Sequence, residues 1–119
     1  MKTVLVVDDD SEVRNILKLL LSADGLRVLE AENGDAALAL AREHIPDLII
    51  SDVMMENVNG FMLIQFLRED PSTEKIPVIL ATGKAQNAGA WDIDPSIAYL
   101  QKPIAPDELL AAVKKMMKP

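Results

Sequence analysis

The 119-residue chain has no cysteine, a single histidine, and fewer basic than acidic residues, 12 against 19, for a net charge of −7. Without cysteine there is no disulfide, no thiol nucleophile and no thiolate metal site, a composition compatible with a reducing cytoplasm. The shortage of Lys and Arg argues against a nucleic-acid surface, because phosphate binding requires clustered positive charge and a basic local field. Long apolar runs are missing as well. Val4 to Val7 is too short for a signal-peptide core and runs into three aspartates. Every later run meets a charge well before the roughly 18 residues that a membrane span requires. Neither nucleic acid nor membrane is therefore expected as a direct partner, and a cytoplasmic location is expected. Half of the chain is nevertheless apolar, with 26% charged, which suits one folded unit rather than disorder. A single domain over 1–119 is expected, with an effector domain beyond Pro119 left open.

Hydrophobic periodicity alternates along the chain. Thr3 to Val7 is a β-branched run ending at Asp8, and Ser11 to Ala23 carries Val13, Ile16, Leu17, Leu20 and Leu21 at helical spacing, with Gly25 placed to stop it. Arg27 to Ala31 reads as a second strand. Asn33 is placed to cap a helix through about Glu43, ended by Pro46. Asp47 to Ser51 is a third strand, terminating at Asp52. Phe61 to Glu69 is helical with Leu63, Phe66 and Leu67 inward, closed by Pro71. Pro77 to Ala81 and Ile97 to Leu100 are the fourth and fifth strands, and Pro106 opens a last helix with Asp107 and Glu108 near its start and lysines near its end. Between Gly83 and Ser96, Gly83, Gly89 and Pro95 interrupt any helical period, so a short or irregular fourth helix is expected. Strict alternation means right-handed crossovers and a parallel sheet covered on both faces. The expected fold is α/β, a doubly wound (βα)5 unit with strand order 2-1-3-4-5, whose ligands bind where the order reverses.

That order carries chemistry to one rim. Asp8 and Asp9 follow strand one, Asp52 strand three, Thr82 strand four and Lys102 strand five. Strands one and three are neighbours, so Asp8, Asp9 and Asp52 should converge. Clustered carboxylates repel unless a pKa rises or a cation intervenes, and hard oxygen donors with room for water suit Mg²⁺ or Mn²⁺. Asp10 reads simply as a helix cap, and Lys102 before Pro103 reads equally as an exposed lysine in a turn. Together, however, a lysine charge, a threonine hydroxyl and a metal around one carboxylate are the parts needed to receive a phosphoryl group. His44 reads as a solvated helix-end residue, remote from the rim, and not as a phosphodonor.

With Val-Val-Asp8-Asp9, Asp52 followed by Met55 and Gly60, Thr82, and Lys102-Pro103 in that order, nearly the whole chain resembles the receiver domain of two-component response regulators, the family that includes the single-domain chemotaxis regulator. The resemblance implies a flavodoxin-like receiver fold. It also implies that Asp52 accepts a phosphoryl group from a sensor histidine kinase or a histidine phosphotransfer protein and later loses it to water. Asp9, Asp52 and the main-chain carbonyl of Met54 would bind Mg²⁺ directly, and Asp8 through a water. Thr82 and Lys102 would hold the phosphoryl oxygens, Tyr99 would turn inward with Thr82, and the bond to Pro103 would be cis. Met54 and Lys84 would tune signal lifetime, toward slow or moderate self-dephosphorylation. The protein would thus be a signalling phosphoacceptor that assists its own Mg²⁺-dependent phosphorylation and dephosphorylation, not an enzyme with a turnover substrate. Tyr99 also reads as a half-buried strand tyrosine and Lys84 as a solvated lysine.

Two departures stand out. Glu56 occupies the place of the proline that usually follows the loop methionine, and the stretch between Thr82 and Lys102 is about two residues short of the family's norm, with an unusual Ala88 to Pro95 segment containing Trp91. A nonstandard output face is expected there. Two other functions remain open. In one, the protein is a pseudo-receiver that works by protein contact without accepting phosphate. In the other, the Asp8-x-Asp10 spacing belongs to a haloacid-dehalogenase-like phosphatase, although Ser11 and Glu12 follow it and the chain is short for that fold.

Overall fold

The computed structural model describes residues 2–54, 58–82 and 96–117. The order of elements is β1 (Thr3–Val7), α1 (Ser11–Ala23), β2 (Arg27–Ala31), α2 (Gly34–His44), β3 (Leu48–Asp52), α3 (Gly60–Glu69), β4 (Val78–Thr82), β5 (Ile97–Gln101) and α4 (Pro106–Met116). The irregular helix expected over 83–96 falls almost entirely outside the described residues, as do Met55, Glu56, Lys84 and Trp91.

Five parallel strands form one sheet in the order β2-β1-β3-β4-β5. Their register levels the carboxyl ends, pairing Val7 with both Ala31 and Ser51, Asp52 with Ala81, and Thr82 with Gln101. Alternate residues enter separate cores, as the period-2 geometry of a strand requires. Leu5, Val7 and Ile49 join α2 and α3 through Ala37, Ala41, Leu63 and Leu67. Val4, Val6 and Ile50 join α1 and α4 through Leu17, Leu21, Leu109 and Val113 on the other face.

The helix starts follow local chemistry. The side chains of Asp10, Asn33 and Asn59 accept from the backbone N–H groups of Glu12, Ala36 and Met62, capping α1, α2 and α3. α1 ends at Asp24, beyond which Gly25 takes a φ of +84°, a conformation open to glycine without a Cβ penalty. Gly60 is needed for proximity instead. A Cβ there would come within 2.8 Å of the Asp52 carbonyl oxygen and 2.9 Å of Leu80 Cδ2, so the bare glycine lets α3 begin against the end of β3.

Two features differ from the periodicity. Ile16 was expected on the inner face of α1 but is 57% exposed, because the sheet covers an arc centred on Leu17 and Leu21 that is narrower than the apolar stripe. Ile16 instead borders a groove between α1 and Pro103, Ile104 and Pro106. β3, β4 and β5 each end one residue later than expected, at Asp52, Thr82 and Gln101, so that Asp52 remains in the ladder with Ala81 while its side chain reaches the rim.

Candidate functional site

The level strand ends bring Asp8, Asp9 and Asp52 together, with one carboxylate oxygen of each lying within 4.8 Å of the others. Asp8 is fixed at all of its polar atoms. Its N–H donates to the Ala31 carbonyl (3.1 Å), its carbonyl accepts from Arg14 Nη1 (2.6 Å), its Oδ1 accepts from the Asp10 N–H (2.9 Å), and its Oδ2 accepts from Lys102 Nζ (3.0 Å). Asp52, also buried, accepts from the Met54 N–H at Oδ1 (3.2 Å), and its Oδ2 lies 3.1 Å from the same Lys102 nitrogen. Asp9 is the exposed member of the group.

Electrostatics follow from this crowding. Loss of water around Asp9, together with the hydrogen bond and charge of Asp8 and the charge of Asp52, raises its pKa above the ordinary 3.8. Burial works against the Lys102 ammonium, yet the Asp8 and Asp52 carboxylates outweigh it and hold its pKa above 10.5. The reading of Lys102 as a free surface lysine therefore does not describe it, since it bridges two buried acids. The donor set is all oxygen and anionic, which suits a hard divalent cation such as Mg²⁺ or Mn²⁺ and not a thiophilic one.

Thr82 ends β4, and Tyr99, in the middle of β5 opposite Leu80, is half-buried against the core shared with α2 and α3. The Lys102–Pro103 peptide bond is cis. The Met54 side chain is 75% exposed beside the cluster. The Asp10 side chain caps α1 as expected of it, while its N–H donates to Asp8. His44 closes α2 at the opposite edge of the sheet, 3.8 Å from Glu43 Oε2. Two residues at the rim escaped the sequence reading, Arg14 and its partner Glu30 (3.5 Å). Their only trace was a charged position on the polar side of α1, which has meaning only once α1 is laid against β2. Among the described residues, no helix is long and apolar enough to cross a membrane.

Comparison with known proteins agrees with this architecture. The family model described as the response regulator receiver domain matches residues 4–114. Protein PilH of Pseudomonas aeruginosa is 35% identical over an alignment covering 98% of both chains. The phosphate regulon transcriptional regulatory protein PhoB of the same organism is 34% identical, and this chain spans only 52% of its length. The chemotaxis protein CheY4 of Vibrio cholerae superposes with a TM-score of 0.88 at 29% identity, covering 98% of both chains. A family match over most of the chain, relatives above 30% identity and a close structural superposition all point one way: the chain belongs to the response regulator receiver domain family.

Proposed function

We propose that this protein is the phosphoacceptor switch of a two-component system, with Asp52 accepting the phosphoryl group of a sensor histidine kinase or histidine phosphotransfer protein. The observation that carries the reading is Lys102 Nζ set 3.0 Å from Asp8 and 3.1 Å from Asp52, beside the three-carboxylate cluster at the strand ends. In this reading Asp9, Asp52 and the Met54 carbonyl would hold Mg²⁺ or Mn²⁺ directly, and Asp8 would do so through a water. A bound cation would supply charge neutralisation for the incoming phosphoryl oxygens. Asp52 contributes the carboxylate oxygen that attacks phosphorus in line. The phosphorus–nitrogen bond breaks as the oxygen–phosphorus bond forms, and the electron pair returns to the donor imidazole. Lys102 offers its ammonium to a phosphoryl oxygen, and the Thr82 hydroxyl hydrogen-bonds another. Tyr99 follows Thr82 and alters the surface that a protein partner meets.

Residues 1–119 act as one receiver domain in this account, in the cytoplasm, without contacting nucleic acid or membrane. The rim assists its own phosphorylation and dephosphorylation but turns over no separate substrate. Incubation with acetyl phosphate and Mg²⁺, followed by intact mass, tests the reading. One added phosphoryl group, lost in Asp52→Asn and on removal of the metal, is expected. An unchanged mass would leave a pseudo-receiver that works by protein contact, and steady release of phosphate from an ester would favour the phosphatase reading instead.

A further inference from the structure

Asp9 has the least support of the three carboxylates. It is exposed and faces like charge from Asp8 and Asp52, so where its side chain goes depends on the backbone that carries it. That backbone begins with the peptide joining Asp8 to Asp9. The unit is planar, so the direction of the Asp8 carbonyl also sets the direction of the Asp9 N–H and Cα. β2 ends at Ala31, which takes the Asp8 N–H. The Asp8 carbonyl on the other side of that residue receives Arg14 Nη1 at 2.6 Å, a short, charge-assisted bond. A side chain thus takes over where the strand ladder stops.

Arg14 is itself held in place. Its side chain is only 17% exposed, its Nε lies 3.5 Å from Glu30 Oε1 on β2, and Glu30 Oε2 lies 3.6 Å from Lys18 Nζ, one turn further along α1. The guanidinium therefore spans from Glu30 on β2 to the main-chain carbonyl of the first residue beyond β1. We propose that Arg14, oriented by Glu30, is a positioning residue for the cation site, fixing the Asp8–Asp9 peptide so that the Asp9 carboxylate is presented beside Asp8 and Asp52. The proposal rests on the reading of that cluster as a divalent-cation site.

The sign of the effect separates positioning from simple electrostatics. Removing a positive charge near an anionic site should tighten cation binding through space, whereas losing the carbonyl anchor should weaken it. Mg²⁺ titration by calorimetry on wild type, Arg14→Met and Arg14→Lys, with thermal melts in the absence of metal as the control for folding, reads the difference. Arg14→Met is expected to bind Mg²⁺ about tenfold more weakly, the scale on which outer-shell partners act at metal sites. Arg14→Lys, which keeps the charge but not the fork, is expected to lose about threefold. Wild-type or tighter affinity in a folded Arg14→Met protein overturns the proposal and leaves Arg14 as a tie between α1 and β2. If Arg14→Met does not fold, Arg14→Lys decides alone, with wild-type affinity overturning the proposal and intermediate affinity supporting it. Failure of the wild type to bind Mg²⁺ would instead defeat the cation-site reading itself, and the proposal with it.

Discussion

Lys102 sits between two acids whose side chains are 3% and 10% exposed, and among the described residues it is the cation paired with both. Replacing it by Met leaves those carboxylates facing each other, and for a partly exposed cluster the expected loss of metal-free stability is about 2 kcal/mol, below the range for fully buried pairs. The same replacement removes a competing cation, so Mg²⁺ should raise the melting temperature of Lys102→Met more than that of wild type; a smaller rise contradicts this. Because the Lys102 pKa is raised, the native state binds its proton more tightly than the unfolded chain does. Its contribution is therefore complete below pH 10.5 and fades as pH climbs through the higher folded value. Gly60 makes a different point, since a methyl group there meets the Asp52 carbonyl and a core leucine. Gly60→Ala should cost about 1–3 kcal/mol in urea denaturation, the scale of overpacking, and should disturb the site by displacing the end of β3. If Asp52 is the phosphoacceptor, Met54, exposed and without a hydrogen-bonding group able to orient water, should go with slow to moderate self-dephosphorylation. A decay within seconds would refute that.

α1 shows where periodicity is informative and where it stops. Its limits and its cap at Asp10 were legible from the Asp-Ser start, the apolar repeat and Gly25, but five apolar positions could not show that only Leu17 and Leu21 are buried. How wide a face the sheet covers depends on neighbours distant in sequence. Leu21→Ala should therefore cost about 2–5 kcal/mol, while Leu19→Lys, at a position 67% exposed, should stay within about 0.5 kcal/mol, both measured by urea denaturation. The limits of β1 and β2 were legible for similar local reasons. β3, β4 and β5 each end one residue beyond the expected limit because a backbone ladder continues under a polar side chain. At the end of α3, the Ser72 N–H and hydroxyl, and then Arg42, lower the pKa of Asp70 below 3.8. The native state then binds that proton less tightly than the unfolded chain, so the stabilisation is present above pH 3.8 and is lost as pH falls through the folded value. Asp70→Asn should remove that part of the acid sensitivity, and an identical acid midpoint shift in both proteins would exclude it.

The whole sheet was legible because alternation of strands and helices admits few topologies, and the order that puts β1 beside β3 also gathers the aspartates. The contact between Lys102 and Asp8 was not legible, since 94 residues separate them and only the closed fold selects Asp8 as well as Asp52. β3 is buried along its entire length and lies at the centre of the sheet, whereas β2, at an edge, is largely accessible. Amide exchange should accordingly be slowest in β1, β3 and β4 and faster in β2; uniform protection across the strands would contradict this. The sheet also divides the interior, with Leu63 among the residues on one side and Leu109 among those on the other. Each compartment can lose a side chain without its counterpart noticing, so Leu63→Ala and Leu109→Ala combined should destabilise by the sum of their separate costs, within about 0.5 kcal/mol. A disturbance arising on the α2 and α3 side can be felt by α1 and α4 only if the shared wall of strands shifts or if it travels around the rim, where the acids and the lysine meet.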